Sequence, residues 1–394
     1  MDITIFPGKL SGTLQAIPSK SQAHRLLICA AFSDKPTELI CPDTNRDIEA
    51  TASCLNGIGA SITRTESGYF ITPISETPTS AELCCAESGS TLRFILPIVG
   101  ALGIDTLIHM EGRLPYRPLS PLWEEMERMG CCLIRPTDNT IRCNGKLKPG
   151  SYTIDGGVSS QYITGLLFAL SLIKGQCSLT ITGKLQSEPY VNMTRQALSI
   201  FGANPEDPAA SYHTPGKLQV EGDWSNGAFF LAAKSMGSKL DISGLDNNSA
   251  QGDKACLSLL QKLDHYCVID AADIPDLVPI LAVTAGAKQG AEFTNIARLR
   301  LKESDRVASV TEMLQNFGIK VEATANTMKI YPGKYGSCTI NAYGDHRIAM
   351  AAAIAATVSY GPVTILGAQC VEKSYPKFWD EYKRLGGKYE QHIR

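Results

Sequence analysis

The sequence predicts a mixed α/β (α+β) protein of about two domains, and three observations carry that expectation. With 394 residues and 44% hydrophobic content, the chain is longer than one ordinary core accommodates. One kind of segment, a Ser- or Asp-led polar start running into small and apolar residues at helical spacing, recurs six times. Between these segments lie short β-branched or alternating stretches, such as GSYTIDG, CSLTITG, MKIYPG and PVTILGA, which read as strands.

The six apolar segments are SKSQAHRLLICAAFS from Ser19, SGSTLRFILPIVGAL from Ser88, SSQYITGLLFALSL from Ser159, DWSNGAFFLAAKSM from Asp223, DIPDLVPILAVTAGA from Asp273 and GDHRIAMAAAIAATV from Gly344. Each opens with residues able to cap a helix N-terminus. A more amphipathic helix follows each, usually closing on a large apolar residue and then the Gly that stops a helix, as in ATASCLNGIGASI, LWEEMERMGCCLI, TRQALSIFGANP and VTEMLQNFGIKVE. KACLSLLQKLDHYCVI lacks the Gly, and FWDEYKRLGGKYE is the last such helix. The expected unit is strand, buried helix, strand, amphipathic helix, then strands, repeated over roughly 50 to 70 residues each. If three buried helices per domain lie parallel, their N-termini converge, each bringing about half a positive charge and free N–H groups. Two such faces would make an anion trap.

Composition excludes several function classes. Lys plus Arg (37) nearly balances Asp plus Glu (39), giving a net charge of -2 and no general attraction to nucleic acid or anionic membrane. Apolar runs such as 348–358 fall short of the ~20 residues that span a bilayer. MDITIFPGKLSG shows no charged n-region followed by an apolar h-region, so a soluble cytoplasmic protein is expected. The 13 cysteines include the adjacent pairs Cys84-Cys85 and Cys131-Cys132 but no C-x-x-C spacing, which argues against zinc knuckles and disulfide frameworks and for reduced thiols acting as apolar fillers.

The chemistry-bearing residues cluster at the starts of the buried segments. Lys20, Ser21 and Arg25 open the first, and Arg93 follows Gly89 by one helical turn in the second. A Gly at a helix start lets backbone approach a ligand, and Arg offers a bidentate fork to phosphate or carboxylate. Arg117 in LPYRPLSP precedes a Pro expected to start a helix, while Ser159, Ser160 and Gln161 are neutral donors suited to hydroxyl or phosphate oxygens. Asp276 lies in DIPD; Lys302, Glu303, Asp305 and Arg306 form KESDR, for which a solvated helical surface with Glu303–Arg306 pairing is the plain alternative; His346, Arg347 and Lys373 complete the set. The triplet Asp345-His346-Arg347 is the hardest to place, since three ionisable groups stand where an apolar helix begins.

IPSKSQAHR, ESGSTLRF, YRPLSPL, SSQYITGLL, SEPYV, VEGDWSNGAFFLAA, IPDLVP, RLKESDRV, GDHRIAMA and VEKSYPKFW, in this order, resemble the signature blocks of the 5-enolpyruvylshikimate-3-phosphate synthase (3-phosphoshikimate 1-carboxyvinyltransferase) family across nearly the whole chain. The resemblance implies two inverted α/β barrel domains, each of three βαβαββ repeats, with an interdomain active-site cleft. One domain would span 19–221 and the other 1–18 with 222–394. It implies transfer of the enolpyruvyl group of phosphoenolpyruvate to the 5-hydroxyl of shikimate-3-phosphate, in chorismate and aromatic amino-acid biosynthesis. Neither cofactor nor metal is implied, and the expected partners are these two small molecules, with no nucleic acid, no membrane, and a monomeric chain.

Carried over by resemblance, Lys20, Ser21, Arg25, Ser159, Ser160, Gln161, Ser187, Asp276 and Lys302 hold shikimate-3-phosphate, with Tyr190 near its ring. Phosphoenolpyruvate falls to Lys20, Gly89, Arg117, Gln161, Arg306, His346, Arg347 and Lys373. The addition and elimination steps need carboxylates in two environments. Asp276 is the expected base toward the 5-hydroxyl, Glu303 the proton donor and acceptor at the methyl carbon, Lys20 the charge stabiliser, and Lys373 a partner in the acid role. His24 and Glu87 stand where the family often has Asn, and Arg298 where some members have Asn. Two rivals are a UDP-N-acetylglucosamine enolpyruvyl transferase, typified by a Lys-Asn pair and a loop cysteine where this chain has Lys20-Ser21 and Cys131-Cys132 in an expected helix end, and a non-catalytic sensor of phosphorylated metabolites.

Overall fold

The structure, a computed structural model, describes residues 1–392. The chain forms two compact units: a middle unit, Pro18–Val220, and a split unit made of Met1–Ile17 and the chain from Glu221 onward. The middle unit contains helices α1 (Lys20–Ala31), α2 (Arg46–Gly57), α3 (Gly89–Leu102), α4 (Leu122–Arg128), α5 (Ser160–Leu170) and α6 (Glu188–Ile200). The split unit contains α7 (Trp224–Ser235), α8 (Cys256–Lys262), α9 (Val278–Ala287), α10 (Arg306–Asn316), α11 (His346–Ala356) and α12 (Phe378–Arg384).

Each unit carries two four-stranded sheets and one two-stranded parallel pair among the described residues. In the middle unit, Ser80–Cys84 runs parallel to Asp105–His109, which continues antiparallel to Thr140–Gly145 and then Cys131–Ile134. Lys217–Gln219 and Thr37–Ile40 begin the second sheet in the same way, followed by Gly68–Thr72 and Ser61–Arg64. The split unit repeats the scheme with Cys267–Asp270, Ala291–Thr294, Thr327–Ile330 and Val321–Ala323, and with Cys338–Asn341, Val363–Leu366, Asp2–Phe6 and Lys388–His392. The parallel pairs need the helical crossovers between them, and the antiparallel pairs close with turns. The two short pairs, Gly150–Asp155 with Cys177–Thr182 and Ser11–Gln15 with Lys239–Ser243, depart from the expected repeat, because no strand pair follows them. After α6 the chain reads NPEDPAASYHTP, whose prolines lack ladder donors. After Lys239–Ser243 it reads GLDNNSAQGD, rich in turn formers.

Five of the six buried helices begin where the polar starts place them, capped by Ser19, Ser88, Ser159, Asp223 and Asp345. The exception is α9, whose N-cap is Leu277 and not Asp273; the helix starts at Val278 with Pro279 in its first turn. In the split unit α7, α9 and α11 pack on one another, and every residue of α11 is buried. In the middle unit α3 packs on α5, while α2 bridges α1 and α3 and α6 bridges α1 and α5. Each unit has its own apolar core.

At the α3–α5 contact, a Cβ on Gly165 would land on the Arg93 carbonyl oxygen, a backbone atom that cannot step aside. Gly165→Ala is therefore expected to cost about 2 kcal/mol by forcing two buried helices apart, read as a lower denaturant midpoint at unchanged m-value; an unchanged midpoint would refute this packing.

Candidate active site

The polar ends of the middle unit's helices meet. Ser88, the cap of α3, accepts from the Thr91 amide at 3.2 Å, and its hydroxyl lies 2.7 Å from that of Thr91. Thr91 continues at 2.7 Å to Thr51 of α2, which reaches His24 Nδ1 of α1 at 2.7 Å. Lys20 Nζ donates to Asp47 Oδ2 at 2.8 Å, joining the first turns of α1 and α2. Gln161 Nε2 of α5 donates to Ser90 Oγ of α3 at 3.0 Å. The loop arginine Arg117 and the helical Arg93 both bring NH1 over Gly89, where an added Cβ would stand 2.6 Å from each. A side chain there would displace both cations, which is why glycine opens α3.

Arg25 is buried, and its donors go inward: Nε to Thr194 Oγ1 at 2.9 Å, NH1 to the Ser21 carbonyl at 2.6 Å, NH2 to the Tyr190 carbonyl at 2.8 Å and to Thr164 Oγ1 at 3.4 Å. It thereby fixes Ser21, Tyr190 and the α5–α6 junction. Ser187, at the N-cap of α6, is buried with φ of 57°, a left-handed strain for a non-glycine residue. Ser159 caps α5, and Ser160 is its first residue.

In the split unit one cluster gathers the N-terminal ends of α7, α9, α10 and α11. Arg306, only 1% exposed, meets three carboxylates: Asp345 Oδ2 on Nε at 2.8 Å, Asp276 Oδ1 on NH1 at 2.6 Å and Glu303 Oε2 on NH2 at 2.8 Å. Asp276 Oδ2 also accepts from Arg347 NH2 at 3.1 Å, so its carboxylate bridges two guanidiniums. Arg347 NH2 reaches Ser225 Oγ at 3.1 Å, and Ser225 donates to the buried Asp253. His346, first in α11, is buried beside them; Lys373 ends the 3-10 turn Ala368–Lys373.

Burial alone would raise the Asp276 carboxyl, but Arg347 and Arg306, with Lys302, hold it well below the ordinary carboxylate range. Burial works against the charge of Arg306 as well, and Asp345, Glu303 and Asp276 overcome it. Burial, helped by Arg306 and Arg298 and opposed by Asp276, brings the Lys302 ammonium down to about 8. In the middle unit burial lowers Arg25 to about 10.

Among the sequence-derived residues, bonds join Asp276, Glu303, Arg306 and Arg347 in the split unit, and Arg25 with Ser21 and Arg117 with Gly89 meet in the middle unit, but several local readings change. Lys302 and Glu303 precede α10 instead of riding on it; the Glu303–Arg306 pair forms between a loop and the helix's first residue. Arg117 ends a 3-10 turn, Leu114–Tyr116, and Pro118 starts no helix, since α4 begins at Leu122. Cys131 and Cys132 lie in the strand Cys131–Ile134, not at a helix end. The Glu87 carboxylate packs against Gly112, with Oε1 2.6 Å from where a Cβ there would stand. Sequence reasoning missed Asp47, Asp253 and the ion-pair role of Asp345, all buried acids whose partners lie far along the chain. The one available signal for Asp345 was its place as the cap of α11. No group of His, Cys, Asp and Glu able to hold a metal occurs among the described residues, and no helix there is long and apolar enough to cross a membrane.

His24 Nε2 is buried without a hydrogen-bond partner among the described residues, and burial pushes its pKa from 6.5 down to about 3. Between those values the unfolded chain holds a proton that the folded chain does not. The contribution is therefore complete above about pH 6.5 and lost as pH falls toward 3, with a slope of up to about 1.4 kcal/mol per pH unit. His24→Asn should flatten the acid limb of stability, shown by unfolding titrations between about pH 4.5 and 7.5; parallel limbs in the two proteins would contradict it.

Comparison with known proteins settles the relationship. The family model described as EPSP synthase (3-phosphoshikimate 1-carboxyvinyltransferase) matches residues 6–272 and 265–382. The 3-phosphoshikimate 1-carboxyvinyltransferase of Clostridium kluyveri is 35% identical over 421 aligned positions, covering 99% of this chain and 98% of that protein. That of Clostridium acetobutylicum is also 35% identical, covering 98% and 97%. Among solved structures, the EPSP synthase of Acinetobacter baumannii has a TM-score of 0.79 at 22% identity, covering 99% of this chain and 100% of that one. The enolpyruvyl transferase NikO of Streptomyces tendae has a TM-score of 0.76 at 16% identity, covering 100% and 99%. These structures share the mixed α/β fold, and with the full-length sequence relatives they lead to one conclusion: the chain belongs to the EPSP synthase (3-phosphoshikimate 1-carboxyvinyltransferase) family.

Proposed function

We propose that this protein transfers the enolpyruvyl group of phosphoenolpyruvate to the 5-hydroxyl of shikimate-3-phosphate and releases phosphate, a step of the shikimate pathway toward chorismate and the aromatic amino acids. Family membership along the whole chain, at 35% identity to enzymes of that name, carries this reading. The two compact units correspond, on it, to the family's two inverted α/β barrels, with the domain boundaries near residues 18 and 221 and the substrates between them. Shikimate-3-phosphate is held by Lys20, Ser21, Arg25, Ser159, Ser160, Gln161, Ser187, Asp276 and Lys302. Phosphoenolpyruvate is held by Lys20, Gly89, Gln161, Arg117, Arg306, His346, Arg347 and Lys373.

The reaction proceeds by addition and elimination. The 5-hydroxyl oxygen bonds to C2 of phosphoenolpyruvate, its proton passes to Asp276, and C3 takes a proton from Glu303, with Lys373 able to share that role. The tetrahedral intermediate then returns a C3 proton to Glu303 as the C2–O bond to phosphate breaks. Lys20 and the arginines stabilise the moving negative charge, where fixed donors contribute most. The UDP-N-acetylglucosamine reading is not favoured, because the residues offered as its loop cysteine lie in a sheet strand.

Mixing both substrates with the protein should release phosphate in a coupled assay; no release would favour the sensor reading. Lys20→Met and Glu303→Ala should each lower turnover by orders of magnitude, with Lys20→Met also losing some stability because it strands the buried Asp47 carboxylate. Glu87→Asn should leave the KM for phosphoenolpyruvate within a few-fold, since the carboxylate already turns toward Gly112. A roughly tenfold fall in that KM, the factor that ~1.4 kcal/mol of relieved repulsion gives, would mean the carboxylate faces the substrate instead.

A further inference from the structure

Asp276 is asked to be a base, yet its two oxygens are each held by a guanidinium: Oδ1 by Arg306 at 2.6 Å and Oδ2 by Arg347 at 3.1 Å. One planar carboxylate spanning two converging guanidiniums is the geometry with which such a pair would grip the carboxylate of a substrate. We propose that Asp276 is an internal competitor for phosphoenolpyruvate: the substrate's carboxylate displaces it from Arg306 and Arg347, and that displacement turns Asp276 into the base for the 5-hydroxyl. The proposal rests on the transfer reading and deepens it.

Charge counting supports the exchange. Arg306, Arg347 and Lys302 face Asp276, Glu303 and Asp345, with Arg298 acting on Lys302 and Asp253 joined to Arg347 through Ser225, so the cations are matched by carboxylates. An entering anion gains little from a neutral cluster unless one carboxylate leaves it. Asp345 cannot leave, because it is fully buried, caps α11 and accepts the Arg347 amide at 3.0 Å. Asp276 can, since it lies in the turn before α9 and is 22% exposed. Once freed, it faces the cluster as surplus negative charge. Accepting the 5-hydroxyl proton, as the hydroxyl oxygen forms its bond to C2, restores the balance. A carboxylate locked between two arginines has too low a proton affinity for that task. Base strength is thus acquired only when the acceptor for the new bond has arrived.

The exchange makes a counterintuitive prediction: removing the base should improve binding. Calorimetric titration of phosphoenolpyruvate, at saturating shikimate-3-phosphate, should show Asp276→Asn and Asp276→Ala binding about tenfold tighter than the wild type while turnover falls by orders of magnitude. Asp276→Glu, which keeps the competing charge, should bind no tighter. Asp276→Asn is isosteric and keeps the question answerable should the alanine variant unfold. Equal or weaker binding in Asp276→Asn, with a wild type that releases phosphate, overturns the competition alone. A wild type that releases no phosphate overturns the transfer reading itself.

Discussion

A helix sunk in an apolar core can place polar groups only at its ends, and this constraint organises both units. Helices such as α9 and α11 are buried along nearly their whole length, so their side chains must be small and apolar, and the N–H groups of their first turns need acceptors close by. Ser19, Ser88, Ser159, Asp223 and Asp345 supply them. Because neighbouring helices pack together within a unit, their polar starts become neighbours too. The proposed site residues are the outer layer of that capping chemistry. Lys20, Gly89, Gln161, Arg306 and Arg347 lie in the first turns of α1, α3, α5, α10 and α11.

The two units solve the problem of buried cations differently. In the middle unit Arg25 bonds to backbone carbonyls and threonine hydroxyls, which satisfy its donors without cancelling its charge. Its field remains available to an anion nearby, at the cost in proton affinity that burial imposes. In the split unit Arg306 bonds to three carboxylates, which with the charges of Arg347 and Lys302 leave the cluster tight and close to neutral. Removing any single member would leave an uncompensated buried charge. The expectation of faces that are simply positive therefore holds poorly for the split unit. There, on the proposal above, an anion enters by an exchange of partners, in which a carboxylate on a loop takes part more readily than the capping Asp345.

Much of this arrangement was legible in the chain. The six polar starts located five buried helices to within a residue, because cap chemistry and apolar spacing are local signals. The sixth, α9, starts late because Ile274 to Leu277 form a turn ahead of Pro279; a proline sets the first helical turn more firmly than a distant aspartate does. KESDR misled in the opposite way. Glu303 and Arg306 have helical spacing and do pair, yet the cap at Asp305 puts the glutamate outside the helix. Cys131 and Cys132 follow Gly130, whose φ of 114° ends the turn after α4, so the strand begins at once. The Asp47 partner of Lys20 and the Asp345 partner of Arg306 could not be read at all. Asp47 lies 27 residues from Lys20, and Asp345 lies 39 from Arg306, and no local pattern encodes such pairs. The departures from the family pattern were legible as departures only. That His24 begins a buried relay to the α3 cap, and that Glu87 folds onto Gly112, are facts of packing.

The triplet that opens α11 shows how structural and chemical demands coincide. Asp345 is first a helix cap, accepting the Arg347 amide, and it is also the buried counter-ion of Arg306. Arg347 could not enter an apolar helix uncompensated; Ser225 and Asp276 receive its guanidinium. Three ionisable residues thus stand at the mouth of a core because each stabilises the next. Asp276, the most exposed acid of the set and the one whose two oxygens are held by two guanidiniums, is the one placed to be traded for a substrate carboxylate. The same bonds that make the cluster affordable to fold make one of its members replaceable, and a cluster with a replaceable carboxylate can couple the arrival of one substrate to the deprotonation of another.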